Sequence, residues 1–232
     1  MQEDSSIGEG IYQIPKVGVS NAYLVEINPN SLILIDTGTS SGGSKVLDYL
    51  QKTGRGPNMI SEIILTHADP DHSGSAANLK RVTGAKLAAH ETDAARVSGQ
   101  VKNIKETNGI GNLLFNFFGI FMKVDRVKPD ILLDDGDQVG PLSIIYTPGH
   151  TDGSICVYKP GQTLFAGDTL ITSRSGKIQL PSRFLNKNTD QLKKSVEKLT
   201  SLEFTSLLPG HGPPITSNAS QRLKDFVAGG FK

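Results

Sequence analysis

Seven histidine and aspartate side chains in this chain have the types and spacing of metal ligands. The stretch Thr66-His67-Ala68-Asp69-Pro70-Asp71-His72 holds His67, Asp69, Asp71 and His72, and it follows directly on the apolar run Ile63-Ile64-Leu65. Imidazole nitrogen and carboxylate oxygen are donors that zinc, iron and manganese accept without thiolate. Farther along stand His150 in Pro148-Gly149-His150, Asp168 in Gly167-Asp168-Thr169 and His211 in Pro209-Gly210-His211. A simpler reading of the cluster is that Asp69 or Asp71 caps a helix starting near Ser73. Against it, His67, His72, His150 and His211, all but one of the histidines, lie at ends of apolar runs in Gly- or Pro-containing loops. The pattern points to a two-metal hydrolytic centre.

Ligands scattered this widely need a scaffold that returns the chain repeatedly to one edge. Short apolar runs bounded by Gly, Pro, Asn and Asp read as strands: 22–25, 32–35, 63–65, 85–89, 142–146, 154–158 and 163–166. Helical patterns fall between some of them, at 43–51, 73–82 ended by Gly84, 92–97, 190–199 and 219–227. The mixture predicts α/β layers in a single domain spanning residues 1–232. The two halves also echo each other. Apolar runs end in Asp36-Thr37 and in Asp168-Thr169, and Leu65-Thr66-His67 resembles Tyr146-Thr147-Pro148-Gly149-His150 with two residues added.

One stretch, at about 98–130, breaks the strand rhythm. Its centre gathers Leu114, Phe115, Phe117, Phe118 and Phe121. It is either a covering element of the core or an apolar insertion; the second reading makes Leu114, Phe117, Phe118 and Phe121 a substrate lid, or residues 110–122 a homodimer contact.

Composition excludes several classes of function. Lys plus Arg number 24 against 23 Asp plus Glu, so no net field favours nucleic acid, and none is expected as a partner. Arg174, Lys177 and Arg183 could grip an anionic substrate, although solvated loop charge explains them as well. The lone Cys156 lies in an apolar strand pattern and reads as a small buried hydrophobe rather than a nucleophile. No apolar stretch is long enough to span a membrane. The acidic start Met1-Gln2-Glu3-Asp4 leads into no secretory signal, so a cytoplasmic location is expected. His90, in Ala88-Ala89-His90-Glu91, is expected at the surface or behind the ligands rather than among them.

The residues quoted above resemble the metallo-β-lactamase superfamily: an Asp after an early strand, a His-x-His-x-Asp-His cluster, then a separate His, Asp and His. Here these read Asp36 in Leu34-Ile35-Asp36-Thr37-Gly38, the cluster from His67 to His72, His150, Asp168 and His211. The match spans almost the whole chain. It implies an αββα sandwich with the metals at one edge. By this resemblance His67, Asp69 and His150 hold one ion, Asp71, His72 and His211 hold the other, Asp168 bridges them, and Asp36 orients a ligand imidazole from behind. The chain departs from the pattern at Asp69, where the family has its second histidine. If Asp69 binds directly, the first site becomes two His and one carboxylate, a set that suits iron or manganese as well as zinc. Its side chain is shorter than imidazole, and reaching the ion only through water or a loop shift would leave that site weaker or emptier.

The expected cofactors are two divalent ions, zinc first, with iron or manganese as alternatives. The expected chemistry is attack of a metal-held hydroxide on the carbonyl of a small substrate with an apolar part, a lactone, ester or thioester, with broad tolerance and with Asp71 moving the proton. Glyoxalase II resembles the chain in its metal blocks but carries a helical domain after its last histidine, so glutathione thioesters are not expected. Three other readings stay open: an iron-dependent oxidoreductase of the same fold, a phosphodiesterase or nuclease, and a one-metal binding module with little activity.

Overall fold

The computed structural model of the protein describes residues 6–8, 10–101 and 124–232. Leu114, Phe117, Phe118 and Phe121, and with them the predicted lid and dimer contact, lie outside the described residues.

The run Leu32-Ile33-Leu34-Ile35 shows how the layers arise. Side chains alternate across a strand, and here both sets are apolar, as a sheet buried on both faces requires. Leu32 and Leu34 pack toward helices, while Ile33 and Ile35 pack into a second core shared with another sheet. This strand, β4 (Ser31–Ile35), is central to a sheet in the order β1 (Ser6–Gly8), β2 (Ile11–Ile14), β3 (Ala22–Asn28), β4, β5 (Ile60–Leu65), β6 (Lys86–His90) and β7 (Ile131–Leu133). The first four strands pair antiparallel, and β4 to β7 pair parallel. Parallel neighbours need crossovers, and α1 (Gly42–Lys52), α3 (Ala76–Thr83) and α4 (Glu91–Val97) lie in them.

The second sheet has five strands: β8 (Gln138–Val139), β9 (Leu142–Tyr146), β10 (Ile155–Lys159), β11 (Thr163–Gly167) and β14 (Ser206–Pro209), in spatial order β14-β11-β10-β9-β8. Its outer face packs Ile145, Cys156, Leu164 and Leu207 against α5 (Thr189–Leu199) and α6 (Ala219–Ala228). A hairpin of β12 (Ile171–Thr172) and β13 (Ile178–Gln179) stands apart. The layers are therefore helix, sheet, sheet, helix, with Val25, Ile33, Ile64, Ile144, Val157 and Phe165 in the central core.

The predicted helix over 73–82 is two: α2 (Pro70–Ser73) and α3, with a turn at Gly74 and Ser75. A Cβ on Gly74 would fall 2.6 Å from the Ser40 backbone nitrogen. The break admits the loop after β4, and Ser75 fastens it by donating to the Thr39 carbonyl at 2.6 Å. Among the described residues no helix is long and apolar enough to cross a membrane.

Candidate metal centre

Strand direction explains why the candidate ligands meet. β4 and β5 run parallel, and Asp36 and His67 follow their C-terminal ends. In the other sheet β9 and β11 both run antiparallel to β10, and β14 runs parallel to β11. Their C-terminal ends therefore share an edge, and His150, Asp168 and His211 follow them. Hydrogen bonds join the two edges: Ile155 N donates to the Thr66 carbonyl at 2.9 Å, and Asn21 N to the Gly210 carbonyl at 2.7 Å.

Three sets of side chains each bring donor atoms within 4.8 Å of one another: His67, Asp69 and His150; Asp71, His72 and His211; and His67, His72 and Asp168. The first two coincide with the two sets that the resemblance implies. Asp168 lies between them, with Oδ2 at 3.5 Å from His150 Nε2 and 3.4 Å from His211 Nε2, and Oδ1 at 3.3 Å from His72 Nε2. Asp69 Oδ2 lies 3.2 Å from His150 Nε2 and 3.8 Å from His67 Nε2. Asp71 Oδ2 lies 3.2 Å from His211 Nε2. Neither Asp69 nor Asp71 spends its side chain on capping α2.

The four rings share one arrangement. His72 Nδ1 faces Asp36 Oδ2 at 2.8 Å, His150 Nδ1 faces Asn186 Oδ1 at 3.1 Å, and His211 Nδ1 faces the Val19 carbonyl at 3.0 Å. His67 Nδ1 faces Thr66 Oγ1 at 3.0 Å, and that hydroxyl is committed as a donor to Asp36 Oδ2. Each Nδ1 thus has an oxygen to which it donates, which leaves the Nε2 lone pair of the neutral tautomer for another partner. All four Nε2 atoms turn into the same space, and His67 Nε2 is buried there without a hydrogen bond among the described residues. A divalent cation is the group this donor set fits.

The charges agree. Burial would lower the pKa of His72, but the carboxylates of Asp168, Asp36 and Asp71 outweigh it and raise it well above its ordinary value. His211 rises to about 10 against the pull of burial, through hydrogen bonds with Asp168 and Asp71. Burial would raise Asp168, yet His72 and His211 hold it well below the usual carboxylate range. His67, by contrast, is lowered, first by burial and then by His72. The carboxylates demand positive charge, which protons on His72 and His211, or metal ions, can supply.

His90 has the opposite arrangement. Its Nδ1 accepts from Thr92 N at 3.2 Å, which caps α4, so its proton sits on Nε2. The ring is buried and stacks on Tyr146 with centroids 4.3 Å apart, so of the two positions expected from sequence, at the surface or behind the ligands, the surface one is ruled out. Arg174, Lys177 and Arg183 are exposed, and Cys156 is fully buried, its thiol pushed up to about 11 by burial.

Residues behind the ligands escaped the sequence reading: Thr66, Asn186, Thr151, Asp93 and Arg96. Asp93 Oδ2 accepts from Ala68 N at 2.8 Å and from Thr151 Oγ1 at 2.9 Å, which pins α4 to both ligand loops. The only signal in the chain was an Asp and an Arg three apart on one helix, which is common on solvated faces.

The sequence profile of the metallo-beta-lactamase superfamily matches residues 15–211. The Bacillus subtilis protein named "Probable metallo-hydrolase YflN" is 28% identical over 226 residues, covering 86% of this chain and 83% of that protein. The structure titled TTHA1623 in a di-iron-bound form is 28% identical with a TM-score of 0.66, covering 85% of this chain and 89% of that one. BJP-1, a subclass B3 metallo-beta-lactamase of Bradyrhizobium japonicum, is alike in fold, with a TM-score of 0.69 at 22% identity over 94% of this chain and 87% of that one.

Proposed function

The chain belongs to the metallo-beta-lactamase superfamily, and on that premise we propose that it is a metal-dependent hydrolase with a two-metal centre that opens lactone, ester or thioester carbonyls. The observation that carries this is the convergence of four Nε2 atoms, each ring's Nδ1 being committed elsewhere, on Asp69, Asp71 and Asp168. His67, Asp69 and His150 would hold one ion, Asp71, His72 and His211 the other, and Asp168 would touch both. When bound, such a pair supplies a water acid enough to act as nucleophile near neutral pH and a Lewis acid for the carbonyl oxygen.

The protein's own groups orient and move protons. Asp36 and Asn186 fix their imidazoles from behind. Asp71 is the most exposed carboxylate of the ligand group, its side chain 18% accessible against 6% for Asp69 and 9% for Asp168, so it is the group best placed to pass a proton to a leaving group. The apolar residues Leu114, Phe117, Phe118 and Phe121 support a substrate with an acyl or other hydrophobic part.

The test is the metal content of protein purified without added metal or chelator, followed by a panel of lactones, esters and thioesters with phosphodiesters for contrast. The reading expects about two ions per chain and hydrolysis that chelation abolishes. One ion or fewer after titration with zinc, iron and manganese, or hydrolysis indifferent to chelator, overturns it. A second reading, an iron-dependent oxidoreductase, draws support from the carboxylate of Asp69 and from the di-iron form of TTHA1623. Iron in the purified protein with substrate-dependent oxygen uptake would select it.

A further inference from the structure

Asp69 does not face the ligand rings alone. From α4, Arg96 reaches toward it, with Nη2 3.6 Å from Asp69 Oδ1, while Nη1 stands 3.8 Å from Asp93 Oδ1. Among the described residues Arg96 Nη2 is buried and makes no hydrogen bond, and Asp93 Oδ1 is in the same state. A guanidinium held this way pairs by charge with two carboxylates at once, in a fork that lysine cannot reproduce. Its position is fixed from both sides of the centre, because Asp93 is tied to the His67 loop through Ala68 N and to the His150 loop through Thr151.

We infer that Arg96 is a positioning residue for Asp69: it draws Oδ1 back, leaves Oδ2 turned to His67 and His150, and offsets the negative charge that a carboxylate adds where the family pattern has an imidazole. The role rests on the two-metal reading. The first site with Asp69 carries one more negative charge than a site with histidine there, and an excess of anionic ligands makes a bound ion a poorer Lewis acid. A cation 3.6 Å behind that ligand returns part of the lost acidity. It also disfavours a posture in which both oxygens turn forward. Arg96 and Asp69 are therefore one functional unit, and with histidine at position 69 the arginine would have no ligand to serve.

A double-mutant cycle separates this from a purely structural role. Wild type, Arg96→Met, Asp69→His and the double variant are stripped of metal and reloaded, and zinc affinities are read by competition with a chromophoric chelator. With Asp69 present, R96M should weaken one of the two sites by about 10–100-fold and leave the other unmoved. With His at position 69, R96M should leave affinity unchanged or raise it. If R96M does not fold, Arg96→Lys and its pair with D69H make the same comparison, with a smaller loss expected in the Asp69 background. Equal losses in both backgrounds, or none in the Asp69 background, overturn the role. Wild-type protein that takes up fewer than two ions from zinc, iron and manganese alike overturns the two-metal reading, and the role with it. Two tight sites that ignore R96M overturn the role alone.

Discussion

At the scale of single residues, Asp36 shows how one carboxylate sets the chemistry of two histidines. It accepts from Thr66 N, from Thr66 Oγ1 and from His72 Nδ1, all at 2.8 Å, and it sits at φ 59°. Left-handed backbone is costly for most side chains, and Asp and Asn are the residues that tolerate it best. Two substitutions then part company. In Asp36→Asn the backbone is kept, but with its oxygen on Thr66 N the amide turns its N–H toward His72 Nδ1. That drives the ring proton to Nε2, the nitrogen needed for a ligand. Zinc affinity should fall about 10–100-fold with little change in the urea midpoint of the metal-free protein. Asp36→Ala should lose zinc as severely and also lower that midpoint, because it adds roughly 1–2 kcal/mol of backbone strain and leaves Thr66 N buried and unpaired. Wild-type zinc affinity in D36N would remove the tautomer argument. Asp36 was legible in the sequence because it ends an apolar run before Thr-Gly. Thr66, the relay between Asp36 and His67, was not, since a threonine ahead of a histidine has no type-specific mark.

Among elements, the strand ends do the gathering, and the loops that leave them are shaped by glycines with no room for a side chain. Gly210 is the clearest case. A Cβ there would lie 2.2 Å from Asp168 Oδ1 and 2.8 Å from His72 Cε1, in contact with the candidate bridging ligand and with a candidate ligand of the second ion. Gly210→Ala should therefore disturb the centre more than the sheets. The expected outcome is fewer than two ions per chain by elemental analysis, with the far-ultraviolet circular dichroism of the wild type. Full metal content in G210A would mean that the β14 loop yields without cost. The strands that close around these loops were readable where both faces are apolar, as in β4 and β11, or where turn residues bound a short run, as in β9. The edge strands β1, β7 and β8 were not, because they are two or three residues long and their pairing comes from neighbours distant in sequence. The echo between halves has a counterpart in the fold: Thr66 bonds Asp36 after β4, and Thr147 bonds Thr169 after β11 at 2.8 Å. The role of α4 was invisible for the reason the edge strands were. Asp93 and Arg96 acquire their partners only when β6 places the helix behind the loop of His67.

For the molecule as a whole, the centre is where two sheets with their own helical covers are held edge to edge. The apolar core between them is closed by residues such as Ile33, Ile144, Val157 and Phe165, but the edge itself is lined by Asp36, Asp69, Asp71 and Asp168. Without a metal ion, protons on His72 and His211 offset these carboxylates in part, and the hydrogen bonds from Ile155 and Asn21 help to hold the join. A bound ion would tie the join more firmly, because the proposed ligands come from the loops of both sheets. An ion that binds the folded chain alone stabilises it by about 2.7 kcal/mol at a free concentration of roughly one hundred times Kd. For a chain of this size each kcal/mol moves Tm by about 2–4 °C. Stripping both ions of the proposed pair with a chelator should therefore lower Tm by about 10–20 °C, read by circular dichroism, and returning zinc should restore it. Because the tie is local, its loss should quicken hydrogen exchange chiefly in the loops after β5, β9 and β14, while the central amides of β4 and β11 stay protected. An unchanged Tm, or a uniform rise in exchange across both sheets, would mean that the ions do not tie the edges together and that the apolar core alone decides how the layers meet.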